Sequence, residues 1–108
     1  MYICRMQRDQ VLEIKKALAN ATRLDILKWL KNPAANFPPH SELGHFDFGV
    51  CGQYIQEKSG LSQPTISNYL ATMHKAGLLI PTRHGKWTYF QRNEKTIVAY
   101  IEEMKKNL

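Results

Sequence analysis

Two short helical patterns separated by Gly60 constrain the fold of this chain more tightly than any other feature. The first pattern covers residues 52–59, and a glycine directly after it is typical of a helix that ends through a left-handed residue. The second begins after Ser62, whose hydroxyl can cap a helix by accepting a hydrogen bond from a first-turn N–H. Pro64 fits there, because first-turn N–H groups have no intrahelical partner. The pattern predicts a helix, a tight turn and a second helix.

The second of these helices has an apolar face and a polar face. Ile66, Leu70 and Met73 recur at spacings of four and three, which predicts a buried stripe, and Gly77 ends the helix. Ile55 and Leu61 are predicted to hold the two helices at a steep angle. The outward side chains of the second helix are all polar, namely Gln63, Thr65, Ser67, Asn68 and Thr72. Gln and Asn can pair with adenine through two hydrogen bonds, so this arrangement predicts a helix-turn-helix that reads the DNA major groove.

A β-hairpin is predicted directly after this motif. Residues 78–81 and 87–90 are β-like, and a Gly-Lys pair at 85–86 forms the turn between them. Arg83, His84 and Lys86 cluster at the tip, where cations can reach phosphate or the minor groove. A merely solvated turn is the alternative, and it explains His84 equally well. Trp87 and Tyr89 are interpreted as packing residues.

The charge distribution favours a nucleic-acid partner. No Asp or Glu occurs between residues 58 and 93, a window with five basic residues, and the formal net charge of the chain is +6. Neutralising phosphates releases condensed counterions, so a one-sided basic surface adds affinity for DNA. No apolar run approaches the roughly 20 residues that span a bilayer, and the first residues are too polar for a signal peptide. We therefore expect a cytoplasmic protein in which residues 1–108 form a single domain.

The rest of the chain is predicted to be helical around one irregular segment. Helices are expected at about residues 9–18, then after a cap at Asn20 or Thr22, and last at 94–107 after a cap at Asn93. Leu24, Leu27 and Leu30 should give the second of them its apolar face. Residues 33–50 hold three prolines and two glycines, which argues against a regular element, although three phenylalanines should pin the loop to the body. The predicted fold is mainly α with a hairpin, in the order α-α-α-α-β-β-α.

Three segments together resemble the ArsR/SmtB family of winged helix-turn-helix transcriptional regulators. They are LANATRLDIL at 18–27, LSQPTISNYLATMHKAGLL at 61–79 and RHGKWTYF at 83–90. The resemblance implies a homodimeric repressor that blocks transcription from an operator and releases it on a signal. It also implies that the terminal segments, residues 1–19 and 93–108, form the dimer interface. A two-fold dimer of this kind would bind an imperfect palindrome.

The releasing signal has several alternatives. One metal site of the family uses an Asp and several His on the last helix, and the absence of His there rejects it. Another uses a Cys pair at the start of the helix that opens the helix-turn-helix, where this chain has Cys51 alone. Cys4 could approach Cys51 and complete a metal site or a thiol-redox pair. The remaining metal-ligand candidates are His40, His45 and Asp47. Two ordinary cysteines without a regulatory role are the plainest interpretation, and no cofactor is predicted.

Two other function classes can be weighed against DNA binding. No nucleophile elbow, phosphate-cradling loop or HExxH motif is present, so an enzyme is not predicted. A winged helix that docks onto another protein is harder to separate from one that binds DNA. Steep weakening of binding with added salt would identify DNA as the partner.

Overall fold

The computed structural model describes residues 6–108, over which the chain forms six helices and three strands. The elements, in chain order, are α1 (Arg8–Leu18), α2 (Ala21–Lys31), α3 (Pro33–Asn36), β1 (Val50–Cys51), α4 (Gly52–Ser59), α5 (Gln63–Lys75), β2 (Leu79–His84), β3 (Trp87–Arg92) and α6 (Glu94–Asn107). None of the described helices is long and apolar enough to cross a membrane.

Side-chain caps fix the starts of three helices at the predicted positions. Asn20, Ser62 and Asn93 each accept a hydrogen bond from the backbone N–H three residues further on, at 3.0, 3.4 and 3.3 Å. Each such cap typically stabilises a helix by about 1 kcal/mol. Gly60 follows α4 with φ +72°, the left-handed conformation that the sequence predicts at this turn. The first helix of the motif therefore ends at Gly60, and the second begins after the Ser62 cap, as predicted.

The core lies where the helices meet the sheet. Its fully buried side chains include Ile14 of α1, Ile26 of α2, Ile55 of α4 and Met73 of α5. The predicted stripe of α5 is confirmed, because Ile66, Leu70 and Met73 are all buried. Since α1, α2, α4 and α5 share this core, the orientation of α5 is set by packing on several sides.

The sheet joins the helix-turn-helix to the hairpin. Its strand order is β1-β3-β2, and both pairings are antiparallel, with Cys51 opposite Tyr89 and Pro81 opposite Phe90. The chain passes from β1 directly into α4, so the first helix of the motif starts at the edge of the sheet. Gly49, directly before β1, allows the chain to approach β3 closely, because at φ +92° a Cβ there would lie 2.0 Å from the carbonyl oxygen of Phe90.

The prediction that residues 33–50 hold no regular element is wrong at both ends. Pro33 opens the short helix α3, which tolerates proline in its first turn. Asn36 stabilises α3 by donating to the carbonyl oxygens of Trp29 and Asn32, at 3.2 and 2.9 Å. At the other end, β1 is only two residues long, and its pairing with β3 lies far away in the sequence. A two-residue strand carries no periodicity from which it could be predicted.

The exposure of individual side chains and the length of the strands correct two further predictions and confirm a third. Leu24 and Leu61, predicted to be apolar contacts, are 38% and 37% exposed, and in α2 it is Ile26 that is buried beside Leu27 and Leu30. The hairpin strands extend beyond their predicted bounds. The loop is pinned by its aromatic residues as predicted, since Phe37 is buried and its ring centroid lies 6.3 Å from that of Trp29.

Candidate nucleic-acid interface

The first half of α5 presents three exposed polar side chains. Gln63, Ser67 and Asn68 are exposed, and within residues 6–108 none of their side chains makes a hydrogen bond. Their amide and hydroxyl groups are therefore free to pair with an external partner. These are three of the five outward positions of α5 that the sequence predicts for contact with DNA.

The other two predicted positions on α5 are more enclosed. Thr65 is half-buried, and its hydroxyl accepts a hydrogen bond from the Ser62 hydroxyl at 2.9 Å, so it forms part of the helix cap. Thr72 is also half-buried and lies two turns further along the helix. Both threonines border the exposed face, whereas Gln63, Ser67 and Asn68 form its centre.

Tyr69 links α5 to α2, a role that was not predicted from the sequence. Its hydroxyl accepts a hydrogen bond from the Asn20 side chain at 3.3 Å, and the Arg23 guanidinium lies 5.0 Å from its ring centroid. Arg23 is itself anchored by donation from Nε to the carbonyl oxygen of Ala17 at 2.6 Å. Tyr69 follows Ile66 by three positions, and this helical spacing is the signal that could have placed it against the body.

The wing tip carries two exposed cations beside a packed histidine. Arg83 donates from Nε to the carbonyl oxygen of Gly85 at 3.0 Å, and Lys86 Nζ lies 5.7 Å from the ring centroid of Trp87. His84 is exposed, yet its ring centroid is 5.3 Å from that of Phe48 in the preceding loop. The turn therefore presents Arg83 and Lys86 to a partner, and His84 also packs onto the loop.

One of the five basic residues in the acid-free window, residues 58–93, is paired with a carboxylate. Arg92 forms two hydrogen bonds with the carboxylate of Glu94, at 2.7 and 3.1 Å. Glu94 lies just beyond the window and neutralises its last cation. The remaining basic residues are all exposed, namely Lys58, Lys75, Arg83 and Lys86. Lys58 Nζ also lies 5.2 Å from the ring centroid of Trp29.

A buried histidine supports the base of the wing. His40 is 6% exposed, and its Nδ1 accepts the backbone N–H of Glu42 at 3.2 Å and lies 3.3 Å from the Tyr89 hydroxyl. In the tautomer whose Nδ1 accepts the Glu42 N–H, the Tyr89 hydroxyl is the donor in the second contact. Burial raises the pKa of Tyr89 above its ordinary value, with Cys51 and Glu42 adding to the effect. The Trp87 ring packs on the His40 ring, with centroids 4.9 Å apart. Tyr89 and Trp87 are thus packing residues, as predicted.

The metal-ligand candidates that lie within residues 6–108 do not form one cluster. Cys51 is 2% exposed, while Cys4 lies outside the described residues. His45 and Asp47 form an exposed local pair, with Nδ1 3.7 Å from the carboxylate. Within residues 6–108, no three His, Cys, Asp or Glu side chains gather in a way that could hold a metal ion.

Comparison with known proteins identifies the family. No protein-family model matches the chain. It is 40% identical over 94 residues to the uncharacterized HTH-type transcriptional regulator YbzH of Bacillus subtilis, covering 87% of this chain and 94% of YbzH. It is 32% identical over 80 residues to the arsenical resistance operon repressor of Escherichia coli, covering 74% of this chain and 56% of that repressor. This chain belongs to the ArsR family of transcriptional regulators.

The ArsR-family assignment confirms the predicted family and the predicted fold class. A solution structure of a homodimeric winged helix-turn-helix DNA-binding domain, Mb0332 from Mycobacterium bovis, matches this ArsR-family chain with a TM-score of 0.63 and 26% identity. The match covers 89% of this chain and 76% of that one. The chain is therefore a DNA-binding transcriptional regulator with a winged helix-turn-helix fold, and the prediction that it is not an enzyme agrees with its relatives.

Proposed function

We propose that this ArsR-family regulator is a homodimeric repressor that binds an imperfect palindrome with α5 and the wing. The observation that carries the proposal is the exposed polar face of α5, formed by Gln63, Ser67 and Asn68 without internal partners, next to the cationic wing tip. These amide and hydroxyl groups are exposed and make no internal hydrogen bonds, so they are available to pair with the base edges of a major groove.

The contacts divide into base reading and backbone positioning. Gln63, Ser67 and Asn68 read bases, and Thr65 contributes from the cap at the helix start. The backbone set binds phosphate or enters the minor groove, and it consists of Thr72, Arg83, His84 and Lys86. Base contacts give sequence specificity, whereas phosphate contacts fix the register and supply most of the salt-dependent affinity.

The dimer interface is proposed on the outer faces of α1 and α6, within a single domain of residues 1–108 whose terminal segments are 1–19 and 93–108. Three large apolar side chains are exposed on these two helices, with Leu12 at 43%, Val98 at 55% and Ile101 at 49%. A groove of about 540 Å³ lies between α1 and α6. Covering this apolar surface with a second copy removes it from water, which is favourable.

A two-fold axis through this interface would present two copies of α5 to one face of the duplex. Half-sites separated by one helical turn, about 34–36 Å, would match two recognition helices. Binding of such an operator by the dimer would block access to an overlapping promoter. We place this action in the cytoplasm.

Selection of duplexes from a random library, followed by a salt titration, tests the proposal. The enriched sequences should contain two inverted half-sites, and one dimer should bind each duplex. Affinity should fall linearly on a log–log plot as salt is raised, because phosphate contacts release counterions. Binding that is independent of salt, or no enrichment at all, would support a protein-docking module instead.

A further inference from the structure

A cleft separates α5 from the wing, and its rim differs in polarity from its floor. The cleft has a volume of about 600 Å³. Its floor is apolar, with Ile66 and Leu70 at 2% and 5% exposure and the half-buried rings of Trp87 and Phe90 beside them. This volume and this lining are typical of sites for small organic ligands. We define the α5–wing cleft by these four floor residues and the rim described next.

The rim of the α5–wing cleft is polar and carries no negative charge. It is formed by exposed side chains that include Gln53, Gln63, Ser67, His74 and Lys86. Of the described residues that line the cleft, none is Asp or Glu. Glu57 accepts a hydrogen bond from the Gln53 amide at 3.5 Å but is not among the lining residues. The electrostatic environment of the cleft therefore favours an anionic group over a cationic one.

DNA matches the rim of the cleft better than its floor. Phosphates and the hydrogen-bonding groups of base edges match the polar rim. The thymine methyl group is the apolar group of the major groove, and it is too small to cover a floor made of Ile66, Leu70, Trp87 and Phe90. An aromatic ring would match the floor, because it can pack against the Trp87 and Phe90 rings and shield apolar surface from water. A carboxylate or sulfonate on the same molecule would reach the Lys86 ammonium at the rim.

We propose that the α5–wing cleft is an effector site for a small aromatic anion, and that its occupation excludes DNA. The inference rests on the proposed DNA-binding function, because Gln63, Ser67 and Lys86 belong both to the cleft rim and to the proposed DNA contacts. A ligand seated in the cleft covers these side chains, so the ligand and the operator compete. Competition is reciprocal: each partner weakens the binding of the other by the same factor.

The fluorescent anion 8-anilinonaphthalene-1-sulfonate serves as the probe for this site in the full chain. We expect saturable binding, and we expect an operator duplex to displace the probe as the complex forms. Probe bound to the apolar faces of α1 and α6 would not respond to the duplex, so displacement distinguishes the two locations. Conversely, raising the probe concentration should weaken operator binding.

Two variants locate the probe. Ala71→Phe places a ring in the cleft from an exposed position of α5 and should weaken probe binding by roughly tenfold or more. Ala35→Phe, at an exposed alanine of α3 outside the cleft, is the matched control and should leave probe binding unchanged. Lys86→Gln should weaken the anionic probe by about twofold to fivefold, and its uncharged counterpart N-phenyl-1-naphthylamine should bind as before.

The outcomes separate this inference from the function on which it rests. Probe binding that survives Ala71→Phe, or simultaneous binding of probe and operator without mutual weakening, would overturn the effector site while operator binding stands. A chain that binds the probe in the cleft but binds no duplex at any salt concentration would overturn the proposed function and the competition together. In that case the cleft would remain a ligand site of a different kind of protein.

Discussion

The guanidinium of Arg92 holds the carboxylate of Glu94 through two hydrogen bonds, of 2.7 and 3.1 Å. The same guanidinium donates from Nη1 to the carbonyl oxygen of Leu27 at 3.2 Å. Arg92 ends β3, Glu94 begins α6, and Leu27 lies in α2, so one side chain joins the wing, a terminal helix and the body of the domain. The Arg92 side chain is only 11% exposed, which limits the screening of these contacts by water.

We predict that the two members of this pair contribute unequally to stability. Arg92→Ala should lower the free energy of unfolding by about 1–3 kcal/mol, because it removes hydrogen bonds to both partners. Glu94→Ala should cost no more than about 1 kcal/mol, since the Glu94 side chain is 62% exposed. Urea unfolding measures both, with Glu102→Ala, which removes an exposed pair with Lys105, as the control. Equal losses for the two variants would contradict this assignment.

Asn68 tests the reading of bases. Asn68→Ala should reduce affinity for the selected operator by about 1–3 kcal/mol if its amide makes two hydrogen bonds to one base. Affinity for an unrelated duplex should not change, because that binding depends on phosphate contacts. Fluorescence anisotropy with the two duplexes makes the comparison. An equal loss on both would show that Asn68 does not read sequence.

Lys86 should behave in the opposite way. Lys86→Ala should weaken binding to every duplex to a similar degree and reduce the salt slope by about one unit, as expected for the loss of one phosphate contact. Lys31→Ala, at the exposed end of α2, provides a control that removes the same charge away from the wing. A selective loss on the operator alone would assign Lys86 to base reading instead.

Elements that depend on interactions between residues close in sequence were predictable, and elements that depend on contacts between distant residues were not. The α5 stripe of Ile66, Leu70 and Met73 was predictable, because helical periodicity and caps are local in sequence. Strand β1 was not, because its two residues are held by β3, which lies far away in the chain. Leu24 and Leu61 were assigned to the core from their type and spacing, but the side on which a neighbouring element packs decides burial, and both remain more than a third exposed.

The site shows the same division. Polar outward positions on α5 were readable from the sequence, since they follow from the stripe that faces inward. The neutralisation of Arg92 was not, because a charge count over a window ignores a carboxylate just outside it. The contact between buried His40 and Tyr89 was not predictable either, because it joins residues 49 positions apart. From the sequence, His40 was only a metal-ligand candidate.

Two exposed isoleucines provide a matched test of the proposed dimer face. Ile101 on α6 is 49% exposed and Ile80 on β2 is 41% exposed, yet only Ile101 lies on the proposed interface. Ile101→Glu should convert the dimer to a folded monomer, because a carboxylate would be buried without a partner. Ile80→Glu should leave the dimer intact. Sedimentation equilibrium gives the masses, and a dimeric Ile101→Glu protein would place the interface elsewhere.

The buried phenol of Tyr89 predicts a loss of stability in alkaline solution. Burial raises its pKa above the ordinary value of 10.0, so the folded chain retains the phenolic proton at pH values where the unfolded chain releases it. The stabilisation is fully present below pH 10.0 and is lost as the pH rises through the higher pKa of the folded state. Ionisation would also remove the donor to His40 Nδ1, 3.3 Å away. The contacts at the base of the wing should therefore weaken before those in the rest of the fold.

Urea unfolding at a series of pH values from about 8 to about 11, a range that brackets the ordinary tyrosine pKa, measures this dependence. The midpoint for the natural chain should fall at the alkaline end. Tyr89→Phe should be less stable at neutral pH, because His40 loses a hydrogen bond, but its midpoint should vary less with pH. Tyr100→Phe removes a phenol from α6 and should retain the alkaline decline. An unchanged decline in Tyr89→Phe would show that another group controls alkaline unfolding.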